Sequence, residues 1–286
     1  MPVAESELRP DLRLVPTGRV RFHEHPERRR TLRLVERIRA EGVLRNPPIV
    51  AEMQDGHYLL LDGANRVSAF LELGYSLVPV QVVNYSDASV QLKGWHHLLL
   101  EGDALPLRAR YAALSGVHLR PVSRAQVAHL LELRQVYAVL VENETAWWGL
   151  FPTPARAEMD VREYIRVLTD VVSAYEGLSR LERIKLADYE QLPQMVQAVV
   201  QHQVCLFPLL HKEELLLLAA QGTMIPTGLT RHLIPGRTLG INLELAFIRS
   251  PRSETDKHAH FQAFVDRLSV EGRIRFYEES VFIMNE

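Results

Sequence analysis

The chain has 286 residues, 47% of them hydrophobic and 24% charged, which argues against disorder and fits an ordinary soluble globular chain of about two domains. With 35 acidic against 33 basic residues and a formal net charge of −2, no global field would hold it on nucleic acid or an anionic membrane. The single cysteine, Cys205, excludes an internal disulfide and fits a reducing cytoplasm as a core thiol. The N-terminal stretch lacks a basic-then-apolar signal pattern, and no apolar run approaches a membrane span.

In chain order, "HEHPERRRTLRLVERIRAEG" predicts a helix from about Pro26 to Glu41, with Leu34, Val35 and Ile38 on one face and Gly42 closing the end. Apolar runs from Ile49 to Met53 and from His57 to Leu61 flank Gln54-Asp55-Gly56, a hairpin turn sequence. A helix over 64–73 stops at Gly74, and the Val-rich run 77–85 reads as a buried strand. The pattern is α+β. Beyond it, Ser123 caps a predicted helix to about Arg134, and "VYAVLVEN" reads as a strand. Three further helices are expected: 160–176 with Asp160 as its cap, Lys212 to Gln221, and Ser253 to about Leu268. The domain boundary falls near 116–123, giving domains 1–120 and 121–286, the second mostly helical.

Three stretches could carry chemistry. In "LLLDGANR" a strand delivers Asp62 to its C-terminal end, Gly63 turns the backbone, and a helix begins with free N–H groups that attract anions. Arg66 could add a forked phosphate contact and Asp62 could hold magnesium, or Asp62 could simply cap the helix. In "RFHEHPERRR", Glu24 precedes a helix N-terminus, where Arg28, Arg29 and Arg30 crowd the positive dipole end; one of them answers an anion, or all form a solvated face. In "TGLTRHLIPGR", Thr230, Arg231 and His232 set a hydroxyl, a fixed cation and an imidazole side by side in a Gly/Pro-bounded loop. The histidines of "WHH" and "HAH" lack supporting ligands at zinc spacing, and neither a Walker loop nor a nucleophile elbow occurs. Trp147 and Trp148 could stack a ring but read as packing.

The order "VP…HE…PPIV…LLLDGANRVSAFLELG…VPVQVV" resembles the ParB/sulfiredoxin fold, and within it the chain is similar to the free serine kinases, which include an archaeal ADP-dependent enzyme and a siderophore-cluster relative. Their pattern has a Glu before the first long helix, a "DGHHR"-type turn, and a C-terminal "TRH" after a short helix and a Gly. Here these correspond to Glu24, to Asp62-Gly63-Ala64-Asn65-Arg66, and to Gly222 followed by "PTGLTRHLIPGR".

The resemblance implies a ParB/sulfiredoxin-like nucleotide-binding domain and a kinase moving phosphate from ATP or ADP to free serine or a similar small molecule. Glu24 would be the general base. Asp62, Gly63, Ala64, Asn65 and Arg66 would hold the nucleotide phosphates, with Asp62 on Mg2+, and Thr230, Arg231 and His232 would take the amino acid or the transferred group. Trp95 would correspond to an aromatic of the substrate pocket. Ala64 and Asn65 replace the family's paired histidines, so two imidazole contacts are missing. Sulfiredoxin chemistry is not expected, because its turn needs a cysteine. A further reading is that the turn has drifted and the protein only senses a nucleotide; a different class of function, a ParB-like nucleotide-binding regulator on DNA, would rest on "SRAQVAHLLEL" opening a helix-turn-helix. The strand-like "RQVYAVLVEN" after it and the near-neutral charge argue against DNA.

Overall fold

The computed structural model describes residues 9–100, 106–143, 145–153, 159–185 and 203–276. The expectation that the N-terminal stretch has no signal pattern falls in part on residues 1–8, which lie outside the described residues. The chain is mixed α/β and forms two compact units, one from residues 1–91 with 232–286 and the other from 92–231. The expected boundary near 116–123 thus falls inside the second unit.

In the first unit come β1 (Asp11–Pro16), β2 (Val20–Arg21), α1 (Arg28–Glu41), β3 (Val43–Leu44), β4 (Ile49–Glu52), β5 (Tyr58–Asp62), α2 (Ala64–Glu72) and β6 (Leu77–Val82). Five of the strands make one mixed sheet in the order β1-β6-β4-β5-β2. The hairpin forms as the turn sequence predicts, with Gly56 at φ 77° and β4 antiparallel to β5. A register shift between Ile49 and Val50 marks a bulge opposite the end of β5, an irregularity common beside functional sites. Leu59, Leu60 and Leu61 are all buried, as expected of a strand covered on both faces. Helix α1 starts at Arg28 rather than Pro26, because Glu27 is still extended at its N-cap. It buries Thr31, Val35 and Ile38, one stripe of the helical period.

The second unit holds β8 (His96–Leu99), α3 (Leu107–Ala112), β9 (Val117–Pro121), α4 (Arg124–Glu132), β10 (Ala138–Val141), β11 (Trp147–Pro152), α5 (Val161–Ser173), β12 (Leu181–Ile184), β13 (Gln203–Leu206) and α6 (Lys212–Ala220). Strand β7 (Gln91–Gly94) leads into it and β14 (Thr230–Leu233) leads out. Its six strands run β12-β8-β13-β10-β11-β9, so the region read as mostly helical is organised around a sheet. The short strands explain the difference: fully buried four-residue runs such as HHLL and QVCL carry no alternation to read. Helices α4, α5 and α6 fall where the sequence places them, and Asp160 caps α5 by accepting from the Arg162 N–H at 2.7 Å. The strand β10 follows α4, so no recognition helix stands there. Trp147 is core, and Trp148 donates to Glu142 at 3.0 Å.

The C-terminal segment returns to the first unit with β15 (Leu243–Glu244), α7 (Ala246–Arg249) and α8 (Glu254–Val270). Strand β15 pairs with β3, and Leu243, Leu245, Ile248 and Phe261 complete the core built by Leu14, Val35, Val50, Leu60 and Phe70. Among the described residues no helix is long and apolar enough to cross a membrane.

A polar cluster lies inside the second unit. His97 donates from Nε2 to the Gly228 carbonyl at 2.9 Å and meets the Tyr175 hydroxyl through Nδ1 at 2.7 Å. The Tyr111 hydroxyl touches the Cys205 sulfur at 3.4 Å, and burial pushes that thiol up to about 12. Cys205 is therefore the inert core thiol its setting suggested. His96 accepts from the Phe207 N–H at 3.0 Å, and burial, followed by the neighbouring His97, lowers its pKa from 6.5 to about 4. Below pH 6.5 the unfolded chain takes up this proton while the folded chain does not until about pH 4, so stability falls as pH drops through that window. The loss reaches up to about 3 kcal/mol. Urea midpoints measured between pH 7 and 4 are expected to show this decline, and His96→Gln is expected to flatten it.

Candidate phosphate-binding turn and its surroundings

Strand β5 ends at Asp62, and Gly63 then takes φ 97° as the N-cap of α2. A side chain there would be strained by the left-handed backbone, and a Cβ would lie 3.0 Å from both the Pro48 Cα and the Arg66 Nε. Backbone bonding begins with the Arg66 and Val67 N–H groups, both to the Gly63 carbonyl, at 2.9 and 3.0 Å. No side chain caps the helix, so the donors of its first turn keep their pull on anions. The simple alternative, Asp62 as the cap, is not what the chain does.

Asp62 instead takes two guanidinium groups on Oδ2: Arg66 Nη2 at 2.7 Å and Arg237 Nη2. Arg66 also donates from Nη1 to the carbonyls of Asn46 (2.9 Å) and Pro47 (3.2 Å). Its fork, expected to face phosphate, ties the loop before β4 to the turn. With 20% exposure for the Arg66 side chain against 41% for Arg237, Arg237 is the more accessible cation of the pair. Magnesium is compatible with this turn, since Asp62 supplies a hard oxygen and Mg2+ commonly joins one or two carboxylates to phosphate oxygens and waters. Among the described residues no group of three or more His, Cys, Asp or Glu could hold a metal by itself.

Asn65 is committed to structure at its carbonyl end. Its Oδ1 accepts from the Glu27 N–H at 2.8 Å and from the Thr31 hydroxyl at 3.3 Å, so the first turn of α2 caps the start of α1. Ala64 packs against the core. Two of the three first-turn arginines of α1 are answered by carboxylates, Arg28 by Glu72 and Arg30 by Glu27 at 3.0 Å. The exposed Arg29 belongs to the solvated face.

Glu24 is half-buried in the segment leading to α1. Its neighbour His23 is buried and donates from Nδ1 to the Leu60 carbonyl at 2.6 Å, which anchors the segment on β5 two residues before Asp62. The His23 ring meets the His232 ring edge-on, 5.3 Å between centroids, and His232 Nε2 contacts the Tyr85 hydroxyl at 2.8 Å. The "HE" and "TRH" stretches therefore meet through their histidines. In the second unit, the Arg231 guanidinium lies 5.0 Å and the Lys185 ammonium 5.6 Å from the centre of the Trp95 ring, and Thr230 stands at the start of the same strand, β14. Tyr85, His23 and Arg237 were not singled out from the sequence, although "TRHLIPGR" contains the last of them.

Over 277 residues, 96% of this chain and 97% of the relative, the sequence is 26% identical to the ATP-dependent L-serine kinase SbnI of Staphylococcus aureus. The chain is similar to the free serine kinases along almost its whole length. The structure of SbnI with a C-terminal truncation matches with a TM-score of 0.72 at 23% identity, covering 91% of this chain and 97% of that one. A free serine kinase in complex with AMP matches at 0.67 and 18% identity, covering 84% and 94%. These two structural likenesses establish the fold. No family model matches the chain.

Gly63→Ala is expected to destabilise the first unit by about 1–3 kcal/mol through the left-handed backbone and the approach to Pro48. Chemical unfolding against the parent protein checks this, with Gly74→Ala, also left-handed but with nothing within 4 Å of its Cβ, as the control for backbone strain alone.

Proposed function

We propose that this chain is a kinase that transfers a phosphoryl group from ATP to the hydroxyl of free serine. The observation that carries the reading is the uncapped start of α2, set behind Asp62 and two guanidinium groups. The full-length similarity to an ATP-dependent L-serine kinase supports it and favours ATP over ADP as donor. We also assign the first unit's α1–β6 region to a ParB/sulfiredoxin-like nucleotide-binding domain, on the motif order read in the sequence.

Phosphoryl transfer needs in-line placement and neutralised phosphate charge more than covalent help from the protein. The N–H donors at Gly63, Ala64 and Asn65 take phosphate oxygens at the positive end of α2. Asp62 would hold magnesium, which would offset phosphate charge when bound. Thr230, Arg231 and His232 receive the amino acid: Arg231 suits its carboxylate, and Trp95 orients Arg231 by lying against its guanidinium. Glu24 accepts the proton from the serine hydroxyl as that oxygen bonds to the terminal phosphorus and the bond from phosphorus to the departing ADP oxygen breaks. His23, buried next to Glu24 in the chain and bonded to the Leu60 carbonyl, holds the backbone from which that carboxylate extends.

The replacement of the family's paired histidines is compatible with activity. Asn65 uses its side chain to hold α1, so the turn keeps its shape without imidazole, and backbone donors remain. A cytosolic setting suits the single buried thiol.

Phosphorus NMR of the protein with magnesium, serine and ATP is expected to show phosphoserine, with ADP tested in parallel as donor. Glu24→Gln is expected to bind nucleotide normally and to lose roughly 10²–10⁴-fold in turnover. Full activity in that variant would remove Glu24 from the role of base.

A further inference from the structure

Gln81 on β6 is 4% exposed, a rare position for an uncharged amide unless both of its ends are bonded. Its Nε2 donates to the Gly236 carbonyl at 2.9 Å, and its Oε1 accepts from the Thr238 N–H at 2.9 Å. The amide thus grips the backbone immediately before and after Arg237, as a neighbouring strand would, while the Gln81 N–H is itself held by the Pro48 carbonyl at 2.9 Å. The loop is tied down further where the Gly240 N–H donates to Asn46 Oδ1 at 2.8 Å. These bonds fix the backbone of an otherwise exposed loop and present the Arg237 side chain to Asp62 Oδ2, at the mouth of the uncapped helix.

An exposed ion pair contributes little to stability by itself, about 0–1 kcal/mol. A buried amide holding the loop on both sides of one arginine is a large investment for so weak a contact. The position has a better use: a guanidinium beside unpaired helix N–H groups is suited to phosphate, which it binds bidentately and more strongly than it does an exposed carboxylate.

We propose that Arg237 is the cation that recognises the terminal phosphates of the nucleotide, that Gln81 is its positioning residue, and that Arg237 exchanges Asp62 for phosphate when nucleotide binds. This rests on the kinase reading. Exchange also releases the Asp62 carboxylate from one of its two arginines as the polyanion arrives, so the occupied turn gains a carboxylate able to take a cation only when phosphate is present. Arg66, tied to the Asn46 and Pro47 carbonyls, stays in place and keeps the turn intact.

Direct calorimetric titration of the whole chain with ATP and with AMP, without and with magnesium, tests this. Arg237→Gln is expected to weaken ATP binding roughly ten- to hundredfold, the range of a charged hydrogen-bond pair, and to leave AMP within about threefold. Asp62→Asn, which frees Arg237, is expected to tighten magnesium-free ATP binding, and that gain is expected to vanish in the double variant with Arg237→Gln. Gln81→Met is expected to reproduce the ATP-selective loss and to add little to it in the Arg237→Gln background, whereas a merely structural role would weaken AMP and ATP alike. Arg237→Lys is expected to restore part of the affinity. Unchanged ATP affinity in Arg237→Gln would overturn the assignment of Arg237 and leave the kinase reading standing; a parent protein that binds ATP no better than AMP-free buffer controls allow would overturn both.

Discussion

Everything around the turn depends on where β5 ends. A slip of this strand, buried on both faces at Leu59, Leu60 and Leu61, would draw Asp62 or Tyr58 into the buried stretch, so the position of Asp62 at its C-terminal end is fixed by the core behind it. Gly63 then reverses the chain within one residue against Pro48, and α2 leaves with no side-chain cap. The anion-attracting end of α2 is thus held by burial on one side and by a tight backbone approach on the other. A loop of the same sequence, without that strand, would have no reason to present its N–H groups in one direction.

The surrounding side chains divide into those that maintain this geometry and those available for chemistry. Arg66 and Asn65, both expected to contact nucleotide, are largely engaged with the protein: one fastens the loop before β4, the other caps α1. His23, which looked like a mere neighbour of Glu24, anchors the segment carrying that carboxylate to the Leu60 carbonyl and meets His232. Arg237 and Asp62 are the more exposed charges. The pattern is an ordinary one for sites, in which fully bonded groups underneath hold more accessible ones in place.

The parts legible in the sequence were those whose signals are local. The hairpin, α1, α2, α5 and α8 carry turn residues, caps and helical periodicity within a few residues of where they act, and Asp62-Gly63 lies on that same short range. Long-range pairing left no such mark. The contact between Arg237 and Asp62 joins residues 175 apart, and its geometry depends on Gln81, a single amide in a Val-rich strand that reads like any other strand residue. The six-stranded sheet was hidden for a related reason. The strands β8, β12 and β13 are four residues each and come from well-separated stretches, and β8 opens with two histidines that composition would place at the surface but that the polar cluster inside satisfies. The Pro- and Gly-rich stretch around "PTGLTRHLIPGRTLG" lies where the chain leaves the second unit, but nothing local in it says that the last stretch returns to the first.

That return has a consequence for how the molecule is made. The sheet, α1 and α2 leave the ribosome early, yet Leu243, Leu245 and Phe261 of their core, along with His232 and Arg237, are translated only after the whole of the second unit. The contiguous second unit can close as soon as it is synthesised, whereas the first must wait with part of its apolar surface uncovered, the condition in which nascent chains depend most on chaperones. The turn that attracts phosphate therefore exists in outline through most of synthesis and gains its C-terminal arginine among the last of its parts, so an unfinished chain carries the anion-binding helix end without the cation and the histidine that complete its surroundings.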